Sequence, residues 1–338
     1  MRLRRSNVSG RGIRRRRRGR GFSYVDERAS AANDTANGTV TDPETLERIR
    51  GLVIPPAWRD VWICPYPNGH IQAVGVDDAG RRQYLYHEQW RARRDQEKHR
   101  RVVELARCLP DLRAAVDADL SASGLGRERV VAGALRMLDR GVFRTGGEEY
   151  ANDNGTRGVA TLLRGDVLVR GGEVLFDYPA KGGIERRVRI RDGALAALVT
   201  ALRRGRADDE RLLSYRDGRE RRDVHADDLN ERLRELAGDG FTAKDLRTWH
   251  ATVLAAVAFA GVEAPTSARG RTRAEKAVMR EVAEQLGNTP AVARRSYVDP
   301  RVIAAWERGE TLTLADLDGL ADDELRGAIE KAVIRLLE

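Results

Sequence analysis

Apolar residues change their spacing along this chain, alternating in two short clusters and otherwise recurring at helical intervals, and the order of those stretches dictates the architecture. The first cluster holds strands over 61–64, 70–76 and 81–87, the last two joined by the turn Asp77-Asp78-Ala79-Gly80. A helix over 41–53 precedes it, started by Asp42-Pro43-Glu44 and stopped by Pro55-Pro56, and residues 27–42 read as a loop. The second cluster predicts strands over 167–170, 174–178 and 186–190, separated by Gly171-Gly172 and by Pro179-Ala180-Lys181-Gly182-Gly183. Helical spacing accounts for the rest: 88–109 with Pro110 as its stop, then 111–120, 128–140, 192–204, 225–237, 242–261, 271–286, 290–297, 300–307 and 322–337. The fold class is therefore α+β. A small N-terminal domain over 21–90 pairs an antiparallel sheet with a helix, and a larger, mainly α domain over 91–338 carries a three-stranded insert.

Charge is distributed unevenly. Of 61 basic residues ten are Arg within positions 1–20, where no acid occurs, so the remainder is balanced at 51 basic against 52 acidic residues. This segment reads as a disordered basic arm drawn to polyanions, nucleic acid above all, through Arg14, Arg15, Arg16, Arg17, Arg18 and Arg20. Charge alone leaves a solubility or localisation tail equally open. No uncharged stretch reaches the ~20 residues a bilayer span needs; Thr248 to Val262 runs fifteen and holds a Trp and a His. The arginine-rich start has no apolar signal core. Cys64 and Cys108 form neither a zinc spacing nor a disulfide framework, which points to a reducing interior.

Only five basic residues are Lys: Lys98, Lys181, Lys244, Lys276 and Lys331. Where Arg replaces Lys so freely, a retained Lys draws attention as a group that can give up a proton, since Arg cannot. Lys181 sits at a Gly-rich hairpin tip and Lys244 opens a long apolar helix; the others lie in ordinary helical contexts.

Four segments carry candidate chemistry: Phe143-Arg144-Thr145-Gly146-Gly147-Glu148-Glu149-Tyr150, the Lys181 hairpin, Lys244-Asp245-Leu246-Arg247-Thr248-Trp249-His250, and Gly287-Asn288-Thr289-Pro290 running on to Tyr297. Each has a plain structural reading as well. Arg144 fits a surface contact, Asp245 and Arg247 fit solvated charges at a helix start, and Asn288 before Thr-Pro fits an N-cap. In this order, with Asn288 nine residues before Tyr297, the set resembles the type IB DNA topoisomerases in their short bacterial and poxvirus form. The stretch Ile54-Pro55-Pro56-Ala57-Trp58 through His87 is similar to the N-terminal clamp domain of the bacterial enzymes, so the likeness covers about residues 12–310.

The resemblance implies a monomeric two-domain clamp around supercoiled duplex DNA in the cytoplasm, at the bacterial nucleoid. It implies an active site in the C-terminal domain and no cofactor, neither ATP nor metal. Residue by residue, it makes Tyr297 the nucleophile. Arg144, Arg247 and Asn288 hold the scissile phosphate, Lys181 acts as general acid, and Lys244 supports proton transfer. Asn288 stands where viral and eukaryotic members carry His; an amide donates a hydrogen bond but shuttles no proton.

The chemistry is coherent on its own terms. Attack by a Tyr oxygen on a phosphodiester builds charge on the non-bridging oxygens, which two Arg forks neutralise. The departing 5′-oxygen needs a proton, which Lys can give. A phenol ordinarily titrates near ~10, so adjacent cations favour phenolate. A tyrosine recombinase shares this logic but usually shows His-x-x-Arg where Lys244-x-x-Arg247 stands here. A non-catalytic DNA-binding protein would leave the spacing unexplained.

Overall fold

The computed structural model describes residues 2–28, 38–147, 155–313 and 322–338. Residues 29–37 of the expected loop, and Glu148, Glu149 and Tyr150, lie outside the described residues. The chain divides into two units, Met1–Glu97 and Lys98–Glu338.

In the first unit, β1 (Ile13–Arg18), β2 (Gly21–Asp26), β3 (Arg59–Ile63), β4 (Ile71–Val76) and β5 (Arg82–Tyr86) form one antiparallel sheet in the order β2-β1-β3-β4-β5. Helix α1 (Pro43–Gly51) starts where Asp42 accepts a hydrogen bond from the Thr45 amide at 2.8 Å, and its Ile49 packs with Ile13, Val61, Ile63 and Ala73.

The expectation of a disordered arm is corrected here: residues 13–18 are an interior strand. Charge counting missed that Ile13 fills a core position opposite Ile63, and that its flanking Arg side chains find partners. Arg15 donates to the carbonyls of Ile54, Pro55 and Trp58 at 3.3, 3.0 and 2.5 Å and stacks over Phe22 at 4.2 Å. Arg14 pairs with Glu27 at 2.9 Å.

Helix α2 (Glu88–Ser121) contains the division between the units, which falls at 97/98 and not at 90. Pro110 does not end it. The proline ring lies on the exposed side, while Leu109 and Leu112 are buried to 0% and 2% exposure. Two such leucines contribute roughly 3–6 kcal/mol, enough to offset the ~3 kcal/mol that an interior proline costs.

The second unit continues with α3 (Arg127–Gly141), β6 (Val167–Arg170), β7 (Glu173–Ala180), β8 (Ile184–Arg191) and α4 (Gly193–Arg203). There follow β9 (Ser214–Asp217), β10 (Glu220–Asp223), α5 (Ala226–Ala237), α6 (Ala243–Ala260), α7 (Ala268–Leu286), α8 (Pro290–Ser296), α9 (Pro300–Glu307) and α10 (Asp322–Leu337). Strands β6-β7-β8 make the expected three-stranded sheet. The β9–β10 hairpin is an addition: its strands are too charged to show an apolar alternation, although Asp217-Gly218 is a turn signal. The uncharged run from Thr248 becomes most of α6, whose Leu246, Trp249, Ala251, Ala255 and Phe259 are all buried. No helix among the described residues is long and apolar enough to cross a membrane.

A buried ionic network ties four of these helices together. Asp139 of α3 accepts from Arg113 of α2 at 3.0 Å and from Arg326 of α10 at 2.7 Å, with His250 of α6 at 3.2 Å. Burial works to raise the Asp139 carboxyl, but Arg326, His250 and Arg113 outweigh it and hold the group well below its usual range. Asp139→Asn removes one of the two carboxylates that Arg113 and Arg326 share, leaving Glu330 at 2.7 and 3.5 Å, and should cost about 1–3 kcal/mol in denaturant unfolding. The network also sets the acid limb. Burial, only partly opposed by Asp139, lowers the His250 pKa. The unfolded chain therefore takes up a proton that the folded one refuses, and stability should fall as pH drops below about 6.5. The Asp139 contribution is complete above the ordinary carboxylate pKa near ~3.9 and disappears only as pH falls through its lower folded value.

Candidate active site

All six residues singled out for catalysis lie in the second unit. Arg247 occupies the second turn of α6, where Thr242 caps the helix: the Asp245 carboxylate accepts from the Thr242 amide at 3.0 Å and hydroxyl at 2.8 Å. The reading of Asp245 and Arg247 as solvated charges does not survive. They are 2% and 4% exposed. Arg247 donates to the carbonyl oxygens of Val142 and Leu286, at the C-terminal ends of α3 and α7, so one guanidinium joins the segments that carry Arg144 and Asn288. Burial lowers its pKa, and the nearby Arg144 acts in the same direction.

Arg144 donates to Asn288 Oδ1, and to the Gly287 carbonyl at 3.2 Å. Its backbone is pinned by the Val159 amide, which donates to the Arg144 carbonyl at 2.9 Å. Two glycines follow Arg144 and allow a close approach of backbone. Gly146, at φ +86°, admits the chain's own backbone: a Cβ on Gly158 would sit 2.5 Å from the Gly146 nitrogen.

Asn288 is not the N-cap of α8. Thr289 takes that role by accepting from the Val292 amide at 3.4 Å, while the Asn288 amide donates back to the Ala283 carbonyl at 2.9 Å across left-handed Gly287. The Asn288 side chain is therefore left for the site. Its Nδ2 is buried with no hydrogen-bond partner among the described residues, and so is Arg247 Nε. Buried donors in this state mark a place where an acceptor belongs.

Tyr297 follows α8 directly, with its ring centroid 5.4 Å from the Arg247 guanidinium carbon. Helix α6 also steadies its backbone: the Thr252 hydroxyl lies 3.4 Å from the Tyr297 carbonyl and accepts from the Asp299 amide at 3.2 Å. Lys98, passed over in the sequence as an ordinary helix residue, reaches the Ser296 carbonyl with its Nζ at 3.4 Å. These interactions bring Arg144, Arg247, Asn288 and Tyr297 together. Lys181 stands exposed in the turn between β7 and β8, ahead of Gly182 and Gly183 at φ +84° and +72°, and Lys244 is exposed one turn before Arg247.

In the first unit, the Arg14 and Arg15 guanidinium groups are engaged by the protein itself, as described above. Arg16, Arg17, Arg18 and Arg20 are exposed at the β1–β2 hairpin. The sequence reading also passed over a second basic surface: Arg269, Arg273, Lys276 and Arg280 recur at helical spacing along α7 and line one groove with Arg294 of α8.

The geometry thus sets two guanidinium groups and two buried, unpartnered donors beside a tyrosine ring, and comparisons with known proteins give the family of the chain. Residues 87–307 match the family described as eukaryotic DNA topoisomerase I, catalytic core, and residues 21–77 match bacterial DNA topoisomerase IB, N-terminal domain. The DNA topoisomerase 1B of Acanthamoeba polyphaga mimivirus is 31% identical over 270 residues, 78% of this chain and 80% of its own. DNA topoisomerase I of Monkeypox virus and DNA topoisomerase 1B of Vaccinia virus (strain Copenhagen) are each 20% identical over 292 residues, 84% of this chain and 89% of theirs. The chain belongs to the type IB DNA topoisomerases.

Proposed function

We propose that this enzyme relaxes supercoiled duplex DNA, acting as a monomer that closes around the duplex and working at the nucleoid of a bacterial cell. The Tyr297 oxygen forms a bond to phosphorus as the bond from phosphorus to the 5′-oxygen breaks. The phenolic proton passes to water and the 5′-oxygen takes a proton from Lys181, with Lys244 supporting that transfer. Arg144, Arg247 and Asn288 bind the non-bridging oxygens, where charge rises in the transition state. The 3′-phosphotyrosyl link conserves the bond energy, so the freed 5′-hydroxyl reverses the step without ATP. The observation that carries this reading is the joining of Arg144, Arg247 and Asn288 beside Tyr297, with Arg247 Nε and Asn288 Nδ2 buried and awaiting an acceptor.

The direct test is relaxation of negatively supercoiled plasmid in EDTA without nucleotide. Relaxed topoisomers are expected. A shifted but still supercoiled band would identify a DNA-binding protein only, and products confined to paired specific sites would identify a recombinase.

The exposed arginines of the hairpin are assigned to the DNA backbone. Deleting residues 1–20 would remove a strand from the sheet, so the test replaces Arg16, Arg17, Arg18 and Arg20 with Gln. The log–log salt slope of duplex binding should shrink by about 0.9 for each phosphate that the variant no longer neutralises, while cleavage at saturating enzyme stays near wild type. An unchanged slope would show that these residues do not meet DNA.

A further inference from the structure

Strand β8 places Arg186, Val188 and Ile190 on its inward side, and Arg186 is only 8% exposed. A charge in a core-facing position requires an explanation. Part of it is local: Arg186 Nη2 donates to the Gly141 carbonyl at 2.9 Å and reaches the Val142 carbonyl at 3.4 Å. Val142 is a left-handed cap at φ +52°, a conformation that costs a β-branched residue roughly 1–3 kcal/mol. Arg247 donates to the same carbonyl, so two buried guanidinium groups converge on the residue that sets the path of the chain into Arg144.

The rest of the side chain borders Tyr178, whose hydroxyl favours the charged guanidinium. Arg186 Nε and Nη1 are buried without a hydrogen-bond partner among the described residues. Nη1 lies beside Gly287, where an added Cβ would sit 3.1 Å from it, and the Gly287 carbonyl is an acceptor for Arg144. Among the described residues, no carboxylate pairs with Arg144, Arg186 or Arg247. Tyr178, which also neighbours Arg186, is no counter-ion, because burial pushes its hydroxyl up to about 12. Three cations gathered around two helix ends without an anion make a strongly positive site, stable because helix C-terminal carbonyls solvate them.

We infer that Arg186 is a third positive charge of the phosphate site, a positioning residue whose charge adds to that of Arg144 and Arg247 when the scissile phosphate gains negative charge. This rests on the phosphodiester reading above. Burial lowers the Arg186 pKa and Arg144 adds to that, while Tyr178 opposes them.

The test compares two substrates with one enzyme preparation, so that differences in folding cancel. One duplex carries an ordinary scissile phosphodiester. The other carries a methylphosphonate, which has lost the negative charge of one non-bridging oxygen. Arg186→Met should cleave the phosphodiester roughly 10²-fold slower than wild type, and its defect on the methylphosphonate should be smaller by at least about tenfold. Arg186→Lys, which keeps the charge, should show no such difference between substrates. Arg186→Gln repeats the comparison if the Met variant does not fold. An equal defect on both substrates would reduce Arg186 to a support for Val142, and no defect on either would remove it from the site; each overturns the inference. The wild-type control separates this from the underlying reading: if wild type forms no adduct at Tyr297, the proposed function fails, whereas a normal wild-type adduct with no substrate-dependent rescue sinks only the role of Arg186.

Discussion

Tyr297→Phe is expected to abolish plasmid relaxation while leaving duplex affinity near wild type. The substitution removes one oxygen. The ring, which packs against the surrounding core 5.4 Å from Arg247, stays. With Tyr297 as the nucleophile no covalent link forms once its oxygen is gone, so the loss is complete and not a partial slowing. Gel-shift affinity and thermal melting measured on the same preparation check that the defect is chemical. Residual relaxation by this variant would move the nucleophile elsewhere.

A second large effect is expected at Lys181, and there the substitution distinguishes a role from a requirement. If Lys181 only balances phosphate charge, Lys181→Arg keeps much of the activity. If it donates the proton to the leaving 5′-oxygen, Arg fails nearly as badly as Ala, because a guanidinium with pKa above ~12 gives up no proton. The cleavage defect should lie in the range of roughly 10²–10⁴-fold for loss of general acid catalysis. A duplex with sulfur at the bridging 5′ position carries a leaving group that needs no proton. Lys181→Ala should therefore cleave it at close to the wild-type rate, while Arg247→Ala stays slow, since its missing charge stabilisation is not replaced. Equal rescue of both variants, or of neither, would pass the acid role to Lys244. The exposed position of Lys181 suits this role: a side chain at a hairpin tip with two left-handed glycines can be brought to the phosphate by bound DNA.

The sequence reveals most of the helices because their amphipathic spacing and caps are local signals: Asp42 caps α1 as its position before Pro43 predicts. It misleads where a long-range partner decides. Nothing near Arg15 announces that the carbonyls of Ile54, Pro55 and Trp58 wait for its guanidinium, so a strand reads as a tail. Pro110 reads as a stop because the buried leucines that hold the helix through it act by packing, not by pattern. In the site, the residue types and spacings of Arg144, Arg247, Asn288 and Tyr297 are visible, but their burial and mutual contacts are not. Arg186 is the hardest to find. Among 56 arginines it differs only by falling in register with Val188 and Ile190 on the inward side of a strand.

The measurement closest to the central claim is the identification of a covalent protein–DNA adduct. Enzyme and a nicked or supercoiled duplex are mixed without metal or nucleotide, denatured during cleavage, and digested with protease; the modified peptide and the DNA ends are then sequenced. A single adduct on Tyr297, joined to a 3′-phosphate with a free 5′-hydroxyl on the other end, is the predicted result. An adduct on another residue, a link to a 5′-phosphate, or cleaved DNA with no attached peptide would contradict it.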